Sequence, residues 1–197
     1  MTRHVKGKLF EDYVRMIKKN KQVDWSKYLG PDELEMITGD LILPSGWYPM
    51  EMFQRCGEAI FYEIAKGSLE VARAWGRMSV EGLAQIYRRL ILEEGDPLQT
   101  LEKFSRLSKI FFDFEGFEVT ATGPGQIEIK VDRAFGTIAM PAYSHQMLGS
   151  FERLLELAGA RQVEAVFTAK AWEGAPQTVI ALRWQGTGPG AENPEKK

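Results

Sequence analysis

The chain is 197 residues long, with 44% apolar and 26% charged residues, which excludes a disordered or fibrous polypeptide and fits one domain around one core. A formal net charge of -2 supplies no field to gather a polyanion and argues against a nucleic-acid partner. Cys56 is the single cysteine, so an intramolecular disulfide and a zinc site of several thiolates are both excluded, as suits a reducing cytoplasm.

The opening MTRHVKGKLF has no apolar signal core, and no stretch approaches the roughly 20 apolar residues of a membrane span. Residues 1 to 21 carry Arg3, Lys6, Lys8, Arg15, Lys18, Lys19 and Lys21 against Glu11 and Asp12. Such a basic end is either a solvated helix face or a docking contact for a partner, the latter through Lys18, Lys19 and Lys21. Between Lys8 and Lys19, Leu9, Phe10, Tyr13, Val14 and Ile17 fall at helical spacing and predict a first amphipathic helix, with His4 in a frayed terminus before it. A short second helix starts at Pro31, where Asp32 and Glu33 complement the helix dipole.

In LILPSGWYP, Pro44, Ser45, Gly46 and Pro49 resist regular structure while Trp47 and Tyr48 offer apolar surface, predicting a buried anchoring loop. Pro49 then suits the first turn of a helix in which Phe53, Cys56, Ile60 and Ile64 recur every three or four residues until Gly67. Ser68 and Ser79 can each cap a helix, so two are expected, over 68–77 and 79–93, bent or broken near Gly76. Asp96 caps the next, with Pro97 first and Leu98, Leu101, Phe104 and Leu107 on one face.

At Phe117 the apolar period changes to two. Phe117, Val119 and Ala121 alternate with Glu118, Thr120 and Thr122, and Ile127, Ile129 and Val131 alternate with Glu128, Lys130 and Asp132, about a Gly123-Pro124-Gly125 turn. That is an antiparallel hairpin with one wet face. A helix from about Ala142 to Ala158 follows, stopped by Gly159, and a second hairpin pairs Arg161–Trp172 with Thr178–Trp184. Residues 185–197, QGTGPGAENPEKK, are too polar to offset their ordering entropy and are expected to be a disordered tail. The expected fold is α+β, one domain over 1–184: a helical amino-terminal half packed on a four-stranded antiparallel sheet built as hairpin, helix, hairpin.

This order of elements, with LILPSGWYP, AIFYEIAKGSLEVARAWGRMSVEGL and MLGSFERLLELAGARQVEAVFTAKAWEGAPQTVIALRW, resembles the ligand-binding superfamily of four-vinyl reductase domains, haem nitric-oxide-binding domains and vesicle-tethering subunits. Within it the chain looks most like a paralogous family of unknown function in myxobacteria. The resemblance runs from about Lys6 to Trp184 and is most specific in the closing block. It implies the fold, and function only loosely.

The departures from those relatives are informative. Zinc-holding relatives use three cysteines and a glutamate, whose places align here with Ser144, Thr168, Ala171 and Val179. Alanine and valine offer no lone pair, so no metal is expected. Haem-binding relatives place a histidine on the helix before the first hairpin and an alternating tyrosine, serine and arginine on a strand. Pro97 to Lys109 has no histidine and Ile127 to Val131 no such triad, so no cofactor is expected. Tethering relatives hold an acyl chain on a cysteine, but Cys56 lies one helix too early and reads as a small core hydrophobe.

His145 is the one histidine inside the folded region and lacks a predictable partner. Neither a G-x-S-x-G turn nor a Walker loop occurs, and the expectation is a protein that is not an enzyme. Aromatic and methionine residues crowd the helices around Phe53 and Trp75 and direct the search for an apolar pocket there. Its candidate lining is Trp47, Phe53, Cys56, Ile60, Trp75, Met78, Phe104 and His145. FFDFEGF is a second cluster, either pocket or partner patch. The expected function is a sensor or regulatory module for an apolar small molecule or lipid. The alternative is an interaction or scaffold protein, homodimeric through its helical face.

Overall fold

A computed structural model describes residues 2–131 and 140–186. The amino end is not frayed: β1 (His4–Lys6) pairs antiparallel with β2 (Trp47–Pro49), and Val5 also bridges to Phe112. His4 is held by Asp113, whose carboxylate accepts from its backbone N–H at 2.8 Å and meets its ring Nδ1 at 2.7 Å. The LILPSGWYP segment is a correction as well. Only Tyr48 is buried, its hydroxyl accepting from the Leu43 N–H at 2.7 Å and donating to the Leu41 carbonyl at 3.2 Å. Because side chains alternate along a strand, its neighbour Trp47 faces out, under the Lys6 ammonium 4.1 Å from the ring centre.

A 3-10 turn over Gly7–Phe10 leads into α1 (Glu11–Lys19), which buries Tyr13 and Ile17. In α2 (Pro31–Thr38), Glu33 reaches back to accept the Gly30 N–H at 2.9 Å, satisfying one of the free donors at a helix start. Helix α3 (Met50–Glu63) buries Phe53, Cys56, Ala59 and Ile60.

The two helices expected on either side of Gly76 are one, α4 (Leu69–Ile91), capped by Ser68 and kinked only at Tyr87. Gly76 lies where α4 crosses α6 (Met140–Leu157): a Cβ there would fall 2.6 Å from the Gln146 carbonyl carbon and closer still to its oxygen. Gly149 on α6 meets the Arg73 carbonyl of α4 in the same way. Glycine here permits close approach of two backbones and does not end the helix. Helix α5 (Pro97–Ser108) begins at the expected cap, with Asp96 accepting from the Gln99 N–H at 3.0 Å.

The sheet is antiparallel throughout, in the order β3 (Phe117–Gly123), β4 (Gln126–Val131), β6 (Thr178–Gln185), β5 (Arg161–Ala169). Ile127, Ile129, Val131, Ile180 and Leu182 are buried on its inner face against α6, whose Phe151, Leu154 and Leu155 complete the core. Gly159 stops α6 at φ +98°. β5 ends at Ala169 and not at Trp172, which sits in a 3-10 turn, Ala171–Glu173. Gln185, placed in the tail from sequence, closes β6 opposite Arg161, and Gly186 follows it; residues 187–197 of the expected tail lie outside the described residues.

Candidate functional site

Where α1, α3, α4, α5, α6 and β3 converge they leave a cavity of about 550 Å³, open on one side. This is inside the ~300–1,000 Å³ range of small-molecule sites. Its wall is mainly aromatic and aliphatic. Phe104, Phe117 and Phe151 form a cluster with ring centres 5.0 to 6.4 Å apart, and Trp75, Phe111 and Met147 extend the apolar surface. Along one edge lie Lys8, Glu11, Asp12 and Arg15, paired as Lys8–Glu11 at 2.6 Å and Arg15–Asp12.

The α4–α6 crossing that carries Trp75 and Gln146 is fixed by charge as well as by glycine. The buried Glu152 carboxylate takes a two-pronged contact from Arg73, Arg77 meets Glu156 at 2.6 Å, and Arg153 reaches Glu81 at 2.9 Å. Planar guanidinium forks hold carboxylates in a fixed orientation. Ser150 adds a bond from its hydroxyl to the Gly76 carbonyl at 2.9 Å.

Polar groups on the cavity wall away from that edge are few and uncharged. Tyr13 donates to the Gln146 side-chain oxygen at 3.3 Å while its ring stacks on Phe53 at 4.8 Å. Burial raises its pKa above the ordinary phenol value, and the same holds for Tyr143. Both are therefore neutral phenols.

Four of the eight residues proposed from sequence line this cavity: Phe53, Trp75, Met78 and Phe104. The other four do not. Trp47 is turned out beside Lys6. Cys56 and Ile60 share α3 with Phe53 but are closed into the core, and burial pushes the Cys56 thiol up to about 12. His145 faces Phe167 and Trp172, with ring centres 5.0 and 6.5 Å away. Burial, then Arg73 and Lys170, lower its proton affinity. Lys18 is paired with Asp40 at 2.6 Å, while Lys19 and Lys21 are exposed. Sequence reading missed Tyr13, Gln146, Tyr143, Met147 and Phe151 as lining; Phe111, Phe112 and Phe117 of the FFDFEGF cluster also contribute.

Fold and cavity together define a class: an α+β domain with an apolar chamber beneath the crossing of its two longest helices. Solved structures similar to this architecture include H-NOX proteins. The Fe(II) unliganded H-NOX protein of K. algicida superposes with a TM-score of 0.62 at 11% identity, covering 98% of this chain and 100% of that one. The S. oneidensis H-NOX protein in its Fe(II)NO state gives 0.63 at 12% identity, over 92% and 99% of the two chains. A mutant of the T. tengcongensis H-NOX protein gives 0.59 at 10%, over 92% and 98%. Likeness at this identity defines the fold alone. No family model and no curated protein sequence matches the chain.

Proposed function

We propose that this chain is a non-catalytic sensor or regulatory module that binds an apolar small molecule or lipid in the chamber between helices and sheet. The observation that carries this reading is the space of about 550 Å³, walled by aromatic rings from several helices and a strand. Kinship with four-vinyl reductase domains, vesicle-tethering subunits and a myxobacterial paralogous family belongs to the same proposal and rests on the closing sequence block. Its mechanism is a population shift, in which a guest between α1, α4 and α6 favours one arrangement of these helices and so alters the face shown to a partner. The basic amino-terminal segment, with Lys18 and Lys19 at the end of α1 and Lys21 in the turn after it, supports the output contact.

Haem is the group that the H-NOX fold implies, and one of the matched structures concerns haem distortion. The residues here do not fit it. The chain has two histidines: His4 is engaged by Asp113 and His145 packs on Phe167 and Trp172. Apart from hydroxyls, amides and the paired charges along the edge, the donors on the described wall are the thioethers of Met16, Met78 and Met147 and two neutral phenols. Haem iron is ordinarily held by histidine, cysteinate or phenolate, with methionine serving opposite a histidine. Lys8 and Arg15, the cations available for propionates, already face carboxylates.

Titration with Nile red, an uncharged apolar dye, tests the proposal: saturable, blue-shifted emission at one site per chain supports it, and emission unchanged from free dye refutes it. A second reading, an interaction protein homodimeric through its helical face, draws on Met78, Ile86 and Leu90. Successive members lie eight and four residues apart on α4 and are each about 60% exposed or more, an apolar stripe of the kind that marks contact sites. Light scattering after size exclusion distinguishes dimer from monomer, with Ile86→Glu as the dissociating variant.

A further inference from the structure

The same chamber narrows the chemistry of its guest. Every charged side chain on the described wall is already matched: Lys8 with Glu11 at 2.6 Å, and Arg15 with Asp12. These are solvent-exposed pairs one helical turn apart and hold little energy, but an ionic head carried past them into the chamber would lie dehydrated against phenyl rings, which is costly. What the wall offers instead is dipoles.

Of its two amides Gln85 is exposed to solvent and Gln146 is half-buried, which makes Gln146 the main one. Its amide has an acceptor oxygen and a two-hydrogen donor nitrogen, and Tyr13 engages only one of these, at 3.3 Å, long beside the ~2.7–2.8 Å usual for a hydroxyl donor. The other end of the amide makes no hydrogen bond among the described residues and is not sealed from the cavity. Because a phenol both donates and accepts, turning the amide over leaves the same surplus with the opposite polarity. Ser79, a turn along α4 from Trp75, brings a second hydroxyl to the wall with no partner among the described residues. Around them Trp75, Phe104, Phe117 and Phe151 form the apolar surface.

Resting on the reading that the chamber binds an apolar guest, we propose that this guest is an amphiphile with an uncharged hydrogen-bonding head, a long-chain alcohol or phenol, whose head is received by the Gln146 amide. A small number of placed polar groups in an apolar wall selects a guest by its head.

Three amphiphiles of equal chain length, decanol, decanoate and decyltrimethylammonium, are used at pH 8 to displace Nile red from the full chain. Decanol is expected to compete at about tenfold lower concentration than either ion, the penalty for dehydrating a charge. Gln146→Leu should weaken decanol about fivefold, the worth of one hydrogen bond, and leave decanoate unchanged. Gln146→Glu keeps the shape and adds a negative charge, so the preference should pass to decyltrimethylammonium, a change of rank that loss of folding does not produce. If Nile red itself fails to bind, the chamber reading and this inference fall together. If Nile red binds but an ion competes as well as decanol, the head-group inference falls alone. If decanol leads equally in wild type and both variants, Gln146 is not its receptor.

Discussion

Gly76→Ala sets two physical arguments against each other. In an exposed helix interior the change is worth about 1 kcal/mol in favour of alanine, because glycine spends more backbone entropy on folding. At the α4–α6 crossing the new methyl would stand 2.6 Å from the Gln146 carbonyl carbon, whereas carbon atoms rest at about 3.5 Å or more. The carbonyl oxygen is nearer still, so the helices must part by more than about 1 Å. Overpacking costs about 1–3 kcal/mol, and the upper end applies because the obstruction is backbone on both sides. A net loss of about 2 kcal/mol follows, or roughly 4–8 °C in Tm for a domain of this size. Gly82→Ala is the internal control: it lies further along the same helix, and a Cβ there meets nothing within 4 Å, so its Tm should rise by roughly 2–4 °C. Differential scanning calorimetry of both variants decides. Gly76→Ala as stable as wild type would mean that α4 and α6 do not cross at this point, and the chamber beneath them would lose its support.

Cys56 is buried with its thiol pushed up to about 12, so dithionitrobenzoate at pH 8 should leave the native protein unmodified and titrate one thiol in denaturant. The Glu33 carboxyl is opposed by burial but held below its usual value of 4.5 by Arg55 and the Gly30 N–H. Its contribution is complete above 4.5 and is lost as pH falls through the lower folded value. Glu33→Gln should cost about 1 kcal/mol at neutral pH and flatten the acid limb of urea midpoints. His145, depressed by burial and then by Arg73 and Lys170, should titrate below 6.5 in NMR. The unfolded chain takes up that proton first, so stability declines as pH drops below 6.5, a slope that His145→Phe should remove.

Local signals set much of the architecture. The change of period at Phe117, the Asp96–Pro97 helix start and the Gly159 stop are chemical properties of adjacent residues, and the sheet and α5 follow them. Features that depend on remote partners were not legible. Val5 is a strand residue because Tyr48, more than forty positions away, pairs with it. Gly76 imitates a helix break because its reason, the backbone of Gln146, lies seventy positions away. On α3, periodicity marks Phe53, Cys56 and Ile60 alike as inward. It does not say that Phe53 meets a void and the other two meet solid core. Gln146 gives no signal at all in a single sequence, since a glutamine on an amphipathic helix reads as surface.

Native mass spectrometry of the wild type beside Ser79→Phe, which places a ring into the chamber, tests the central claim most directly. After incubation with decanol, the wild type should carry an additional mass equal to one guest, and the variant should not. A wild-type chain seen only at its bare mass, or a variant that takes up the guest as readily, would contradict the account.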